Sequence, residues 1–230
     1  MHYFVLASDY DGTLATHGQV NDETLAALER LRISGRKLIL VTGREIDELV
    51  RLFPQVDSFD CIVAENGALL YWPASGQEKL LAPKPPEEFV QALRDRNVDR
   101  LSVGKVIVAT WRPYETIVIE VIRELGLQLQ VIFNKDAVMV LPEGVNKASG
   151  LNAALNEMNI SPDNAVGVGD AENDYALLRR CGCGVAVANA LPMLKECADL
   201  VTSGSRGAGV IELIDKLIAS DLSEVDSRLK

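Results

Sequence analysis

The sequence predicts an α/β protein: a Rossmann-like parallel sheet in a three-layer α/β/α core, with a smaller α+β domain inserted into it. Three observations carry this. From Phe4 to Gly67, short apolar runs alternate with amphipathic stretches. The same alternation returns after Pro142. Between them, a proline-rich connector opens a block with a different order of elements.

Phe4-Val5-Leu6-Ala7 reads as a fully buried strand, and Ser8 to Thr13 as the loop at its C-terminal end. Asn21-Asp22 caps a helix that runs to Ser34, with Leu25, Leu28 and Leu31 on its buried side and Gly35 at its stop. Lys37 to Val41 is a second strand, ending in Thr42-Gly43-Arg44. Ile46, Leu49, Val50 and Phe53 form the stripe of the next helix, closed by Pro54. Cys61 to Ala64 is a third strand, ending in Glu65-Asn66-Gly67. The βαβαβ order places all three loops on one edge of a parallel sheet.

Ala82-Pro83-Lys84-Pro85-Pro86 is a stiff connector. Phe89, Val90 and Leu93 mark one side of a helix, Leu101 to Thr110 reads as one strand, and Pro113 to Leu125 as a helix. Leu127, Leu129, Val131 and Phe133 alternate, as in a strand with one solvated face, and Asn134-Lys135-Asp136 turns it back into Ala137 to Leu141. The expected division is a core domain of residues 1–82 and 143–230 and an inserted domain of residues 83–142. Lys147 begins the next helix, Ala165 to Val168 and Gly184 to Val187 are further strands, and Leu191 to Cys197 is a short helix. Leu200-Val201 reads as an edge strand, and Val210, Leu213, Ile214, Leu217 and Ile218 as the stripe of a closing helix. The tail from Ser220 is polar and reads as frayed.

A hydrophobic content of 48% is that of an ordinary globular protein. The net charge of −10 disfavours non-specific binding to nucleic acid or an anionic membrane, but not to a small anion in a locally positive pocket. Cys61, Cys181, Cys183 and Cys197 show neither a disulfide framework nor zinc spacing, and the histidines are His2 and His17 alone. No apolar run approaches the ~18 residues of a membrane span, and the N-terminus lacks the basic flank of a signal peptide. The expected location is cytoplasmic, as a monomer or homodimer.

Four segments fall on one edge of the sheet: Asp9 to Thr13, Thr42-Gly43, the approach to Lys147, and Gly169-Asp170-Ala171-Glu172-Asn173-Asp174. They supply a carboxylate nucleophile, a second carboxylate, a hydroxyl, an ammonium and an acidic cluster, an inventory that suits phosphoryl transfer. Close carboxylates repel unless a cation lies between them, and hard oxygen ligands beside a phosphate point to Mg²⁺. Each residue also has an ordinary reading: an Asp-rich turn, a strand-end threonine, a solvated helix-start lysine.

Asp9-Tyr10-Asp11-Gly12-Thr13, Thr42 within Leu40 to Arg44, Lys147 after Pro142 to Asn146, and Gly169 to Asp174 together resemble the four motifs of the haloacid-dehalogenase superfamily of phosphohydrolases, in the Cof-type branch with a C2 cap. The resemblance covers nearly the whole chain. It implies that Asp9 attacks phosphorus and that Asp11 is general acid and then base. It implies that Asp9, Asp170 and the Asp11 main-chain carbonyl ligate Mg²⁺. Thr42, Gly43, Lys147 and Asn173 would bind the phosphoryl group, with Asp174 orienting Lys147 or a metal-bound water. The organic part of a small phosphorylated metabolite, phosphoglycolate or a sugar phosphate, would face Arg44, Asn66 and the cap residues Arg112 and Tyr114, with Glu115 and Lys105 as further candidates. A phosphomutase of similar fold and a non-catalytic metabolite-binding module are the alternatives.

Overall fold

A computed structural model describes residues 1–226. In chain order the elements are β1 (Val5–Ser8), α1 (Asp22–Ile33), β2 (Lys37–Val41), α2 (Ile46–Leu52), β3 (Cys61–Ala64), β4 (Leu69–Trp72) and β5 (Gln77–Leu80). The inserted segment follows with α3 (Glu87–Asp95), β6 (Ser102–Val103), β7 (Val108–Trp111), α4 (Glu115–Glu124), β8 (Leu129–Asn134) and β9 (Ala137–Pro142). Then come α5 (Lys147–Glu157), β10 (Ala165–Gly169), α6 (Tyr175–Arg180), β11 (Cys183–Ala186), α7 (Pro192–Cys197), β12 (Leu200–Val201), α8 (Gly207–Ser220) and α9 (Ser223–Asp226).

The large sheet has the order β12-β11-β10-β1-β2-β3-β4-β5. The strands from β12 to β3 are parallel, and β4 and β5 are antiparallel. Because helices cover both faces, the central strands are continuously apolar. Leu38 and Leu40 of β2 pack with α1 and α8, whereas Ile39 and Val41 pack with Leu151 and Leu155 of α5. The chain leaves β1 toward β2 on one side and returns to its other side as β10. The crevice beyond the C-terminal ends of these strands is where such sheets place their ligands.

The β4–β5 hairpin is absent from the sequence reading. All four residues of β5 are exposed, so the strand carries no alternation to announce it. The expected single strand over Leu101 to Thr110 is instead β6 and β7, joined by a turn at Gly104 to Ile107. The tail is less frayed than its polarity suggests, for Leu222 and Val225 are buried in the core. Residues 227–230 lie outside the described residues. The four cysteines are free thiols, as expected.

The second sheet, β6-β7-β9-β8, is antiparallel throughout. Its faces separate by parity. Val103, Val108, Val131, Phe133, Val138 and Val140 pack with α3 and α4. Ser102, Ala109, Trp111, Asn134, Ala137 and Met139 turn toward the large sheet's C-terminal edge. The Glu65 carboxylate, fully buried, clasps the two sheets together by accepting hydrogen bonds from the backbone N–H groups of Lys105 (2.8 Å), Val106 (2.6 Å) and Ile107 (2.8 Å).

Gly67 seats α5 against the loop after β3. It has φ of 107°, and a Cβ there would lie 1.9 Å from the Asn146 carbonyl oxygen. Gly67→Ala is therefore expected to lower unfolding free energy by at least ~3 kcal/mol. Gly76→Ala, also at positive φ but with nothing within 4 Å, is expected to lose only ~1 kcal/mol. Urea unfolding of the two variants checks the difference, and equal losses would remove the close-approach argument.

Candidate active site

Asp9 follows the last residue of β1, Asp170 the last residue of β10, and Thr42 the last residue of β2. Parallel strands thus deliver all three to one edge. Lys147 is the first residue of α5, whose start is fixed by Asn146. The Asn146 side chain accepts from the N–H groups of Ala148 and Ser149 (both 3.0 Å), and the Ser149 hydroxyl accepts from the Asn146 N–H (2.9 Å).

The Lys147 ammonium has no exposed surface. It donates to Asp9 Oδ1 and, at 2.5 Å, to Asp174 Oδ1. The other Asp174 oxygen accepts from the N–H groups of Asp170 (2.9 Å) and Ala171 (3.0 Å), which folds the loop after β10 around it. Asp9, Asp170 and Asp174 each offer one oxygen, and these lie within 4.8 Å of one another. Gly12 permits this closeness, since a Cβ there would meet Asp170 Oδ2 at 2.5 Å. Asn189 secures the same loop, donating to the Gly12 carbonyl oxygen at 2.8 Å while accepting from the Arg206 N–H at 2.7 Å.

Burial first, then Asp174 and Asp170, push the Asp9 carboxyl up to about 8 against the pull of Lys147. Burial also raises Asp170, against Lys135. Burial pulls Lys147 down, but Asp174 and Asp9 more than reverse this and leave it above its ordinary value. Three buried carboxylates therefore share the charges of Lys147 and Lys135. The excess negative charge and the convergent hard oxygens fit a divalent cation.

The Asp11 carboxylate stands outside this cluster. It receives a two-pronged bond from Arg44, Nε at 2.6 Å and Nη2 at 2.8 Å, while Arg44 Nη1 reaches Glu48 at 2.5 Å. Thr42 is buried, and its Oγ1 accepts from the Arg44 N–H at 3.1 Å. Asn173 donates to Asn66 Oδ1 at 3.0 Å, leaving Asn66 Nδ2 and Asn173 Oδ1 without a protein partner.

Between the two sheets lies a cleft of about 520 Å³, lined on the core side by Asp9, Asp11, Gly43 and Arg44. Arg112 and Tyr114, expected at the substrate, are not among its walls. Position 112 has the opposite parity to Trp111, so Arg112 lies over the Phe133 ring at 5.2 Å. The Tyr114 hydroxyl donates to Asp99 at 3.2 Å. Asn66 is fully buried behind the cleft, and the Lys105 ammonium pairs with Glu78. The cleft-facing cap residues are instead Arg100, Ser102, Trp111, Asn134 and Lys135. Lys135, in the β8–β9 turn, reaches across to Asp170 Oδ2 at 2.9 Å. The alternation of β8 carried the signal for this face, because Val131 and Phe133 on the helix side put Asn134 on the other.

Fold and site define a capped α/β enzyme with a carboxylate-rich centre. A family profile described as haloacid dehalogenase-like hydrolase matches residues 6–104 and 132–214. The chain is 32% identical to phosphoglycolate phosphatase 2 of Saccharolobus solfataricus, covering 96% of each chain. It is 31% identical to the phosphoglycolate phosphatase of Archaeoglobus fulgidus, covering 92% of this chain and 96% of that one. A haloacid dehalogenase-like hydrolase from Bacteroides thetaiotaomicron shares the fold, with TM-score 0.78 at 20% identity over 94% of this chain and 99% of that one. The chain belongs to the haloacid dehalogenase-like hydrolases, and its relatives place it among the phosphatases of that family.

Among the described residues, no helix is long and apolar enough to cross a membrane.

The raised Asp9 pKa has a consequence for stability. A carboxyl whose folded pKa exceeds its ordinary 3.8 contributes stability that is present below about pH 4 and lost as pH rises through about 8. Asp9→Asn cannot ionise. In the absence of divalent cations its melting temperature is expected to gain on the native chain between about pH 5 and about pH 8. A saturating divalent cation should narrow the margin. Calorimetry checks this, and a margin independent of pH would contradict it.

Proposed function

We propose that the protein is a Mg²⁺-dependent phosphatase that hydrolyses small phosphorylated metabolites through a phospho-Asp9 intermediate. The observation that carries this reading is the fully buried Lys147 held between Asp9 and Asp174, with the Asp170 carboxylate in the same cluster. A lysine fixed there positions the nucleophile and meets charge on the phosphoryl oxygens.

An Asp9 carboxylate oxygen attacks phosphorus, and the bond from phosphorus to the ester oxygen breaks. Asp11 gives its proton to the departing oxygen, then removes one from water, which attacks the aspartyl phosphate and frees Asp9 and inorganic phosphate. Asp11 is paired with Arg44 through both of its oxygens, and this pair opens when Asp11 carries its proton to the departing oxygen. Thr42, Gly43, Lys147 and Asn173 hold the phosphoryl oxygens, and Asp174 fixes the Lys147 ammonium. Asp9, Asp170 and the Asp11 main-chain carbonyl would hold Mg²⁺, which would supply positive charge to the phosphoryl group.

Residues 83–142 act as a cap over the core formed by 1–82 and 143–230, keeping bulk water from the intermediate. The names of the relatives make phosphoglycolate the first substrate to try, with sugar phosphates beside it. Four free thiols suit a reducing cytoplasm.

Phosphate release from a panel of metabolite phosphates with Mg²⁺ tests the reading. Asp9→Asn is expected to lose about 10³-fold or more in kcat, because an amide is not a nucleophile. Asp170→Ala is expected to raise the Mg²⁺ concentration for half-maximal rate about tenfold or more. Near-native turnover by Asp9→Asn would overturn the mechanism.

A further inference from the structure

We propose that Arg100 is a specificity-determining residue that binds a carboxylate on the organic part of the substrate, so that the preferred substrates are phosphomonoesters of hydroxy acids. This rests on the phosphatase reading of the same cleft. Arg100 lies two residues ahead of Ser102, is exposed, and lines the cleft opposite Asp9 and Asp11.

Its distinction is electrostatic. The other cations on the cleft wall are already committed: Arg44 to Asp11 and Glu48, and Lys135 to Asp170. Among the described residues, the Arg100 guanidinium has neither a hydrogen bond nor an ion pair. A free guanidinium on the wall of a phosphate-ester cleft, away from the phosphoryl site, matches a planar carboxylate through two parallel N–H bonds.

The neighbouring charges limit what else binds there. Glu45 also lines the cleft and is fixed by a hydrogen bond from the Ser102 hydroxyl. One uncommitted guanidinium in a cleft that also holds a fixed carboxylate suits a singly charged group better than a second phosphate, which carries nearly twice the charge. The cleft volume of about 520 Å³ admits acids longer than two carbons, so the class is set by charge rather than by length.

The test measures kcat/KM for phosphoglycolate, phosphoglycerate and phosphogluconate against the uncharged-tail esters β-glycerophosphate and a hexose monophosphate, with a hexose bisphosphate as a further arm. Arg100→Gln is expected to lower the ratio of carboxylated to uncharged substrates about 10- to 100-fold, and Arg100→Lys to restore part of it. A ratio unchanged within about threefold would overturn the assignment, as would equal losses on all substrates. A bisphosphate preference that disappears in Arg100→Gln would also overturn it, by assigning the residue to a phosphate. Asp9→Asn assayed in parallel separates the two readings. Phosphate release that survives it removes the Asp9 mechanism, whereas Asp9-dependent release with an unchanged ratio removes only the role of Arg100.

Discussion

The Lys147 ammonium has no exposed surface, and an unpaired charge in that position would oppose folding by on the order of several kcal/mol. Asp9 and Asp174 answer it directly. Because these residues come from the end of β1, the loop after β10 and the start of α5, the ion cluster requires three distant parts of the chain to meet. A cation at a helix N-terminus also opposes the helix dipole. The two carboxylates remove that conflict, and the reciprocal Asn146 and Ser149 bonds hold the first turn while they do so. The cluster is thus a constraint on folding before it is a device for chemistry.

The second constraint is the parity of the cap sheet. A two-residue period lets one sheet bury valines against α3 and α4 and present a different set of side chains to the cleft. Ala109 and Ala137 keep that face shallow, while the Met139 sulfur packs so close to Gly43 that a Cβ there would meet it at 3.3 Å, inside ordinary van der Waals contact. Glu65 then ties the cap turn to the loop after β3, which also carries Asn66 against Asn173. Cap position and the floor of the site are therefore joined through two consecutive residues.

The buried parts of this arrangement were legible in the sequence. Apolar runs ending in polar loops gave the parallel strands, and the order of the loops brought Asp9, Thr42, Lys147 and Asp170 to one edge. Most of what escaped lacks a burial signature, β4 with its buried Leu69 and Leu70 being the exception. The β5 strand is exposed along its length and reads as loop. The Gly104 turn splits β6 from β7 inside a run whose alternation continues on either side. Arg112 and Tyr114 are polar residues in a corner, but chemistry alone does not say which way a side chain points. Lys135 falls in a hairpin turn by sequence, and its reach to Asp170 depends on how the cap sits on the core.

An acidic chain that accepts anions needs local positive charge, yet free cations in a closed cleft are unfavourable without counter-charges. The structure resolves this by pairing. Lys147, Lys135 and Arg44 are each neutralised by carboxylates that belong to the same site. Each of these cations has one acid partner with another role in the proposed chemistry: Asp9 as nucleophile, Asp170 as metal ligand and Asp11 as proton donor. In that proposed chemistry, engaging those acids would turn part of each cation's charge toward the phosphoryl oxygens. Arg100 lies outside this arrangement, since no described acid satisfies it. Its guanidinium is exposed to water, so it is available to the substrate carboxylate proposed for it.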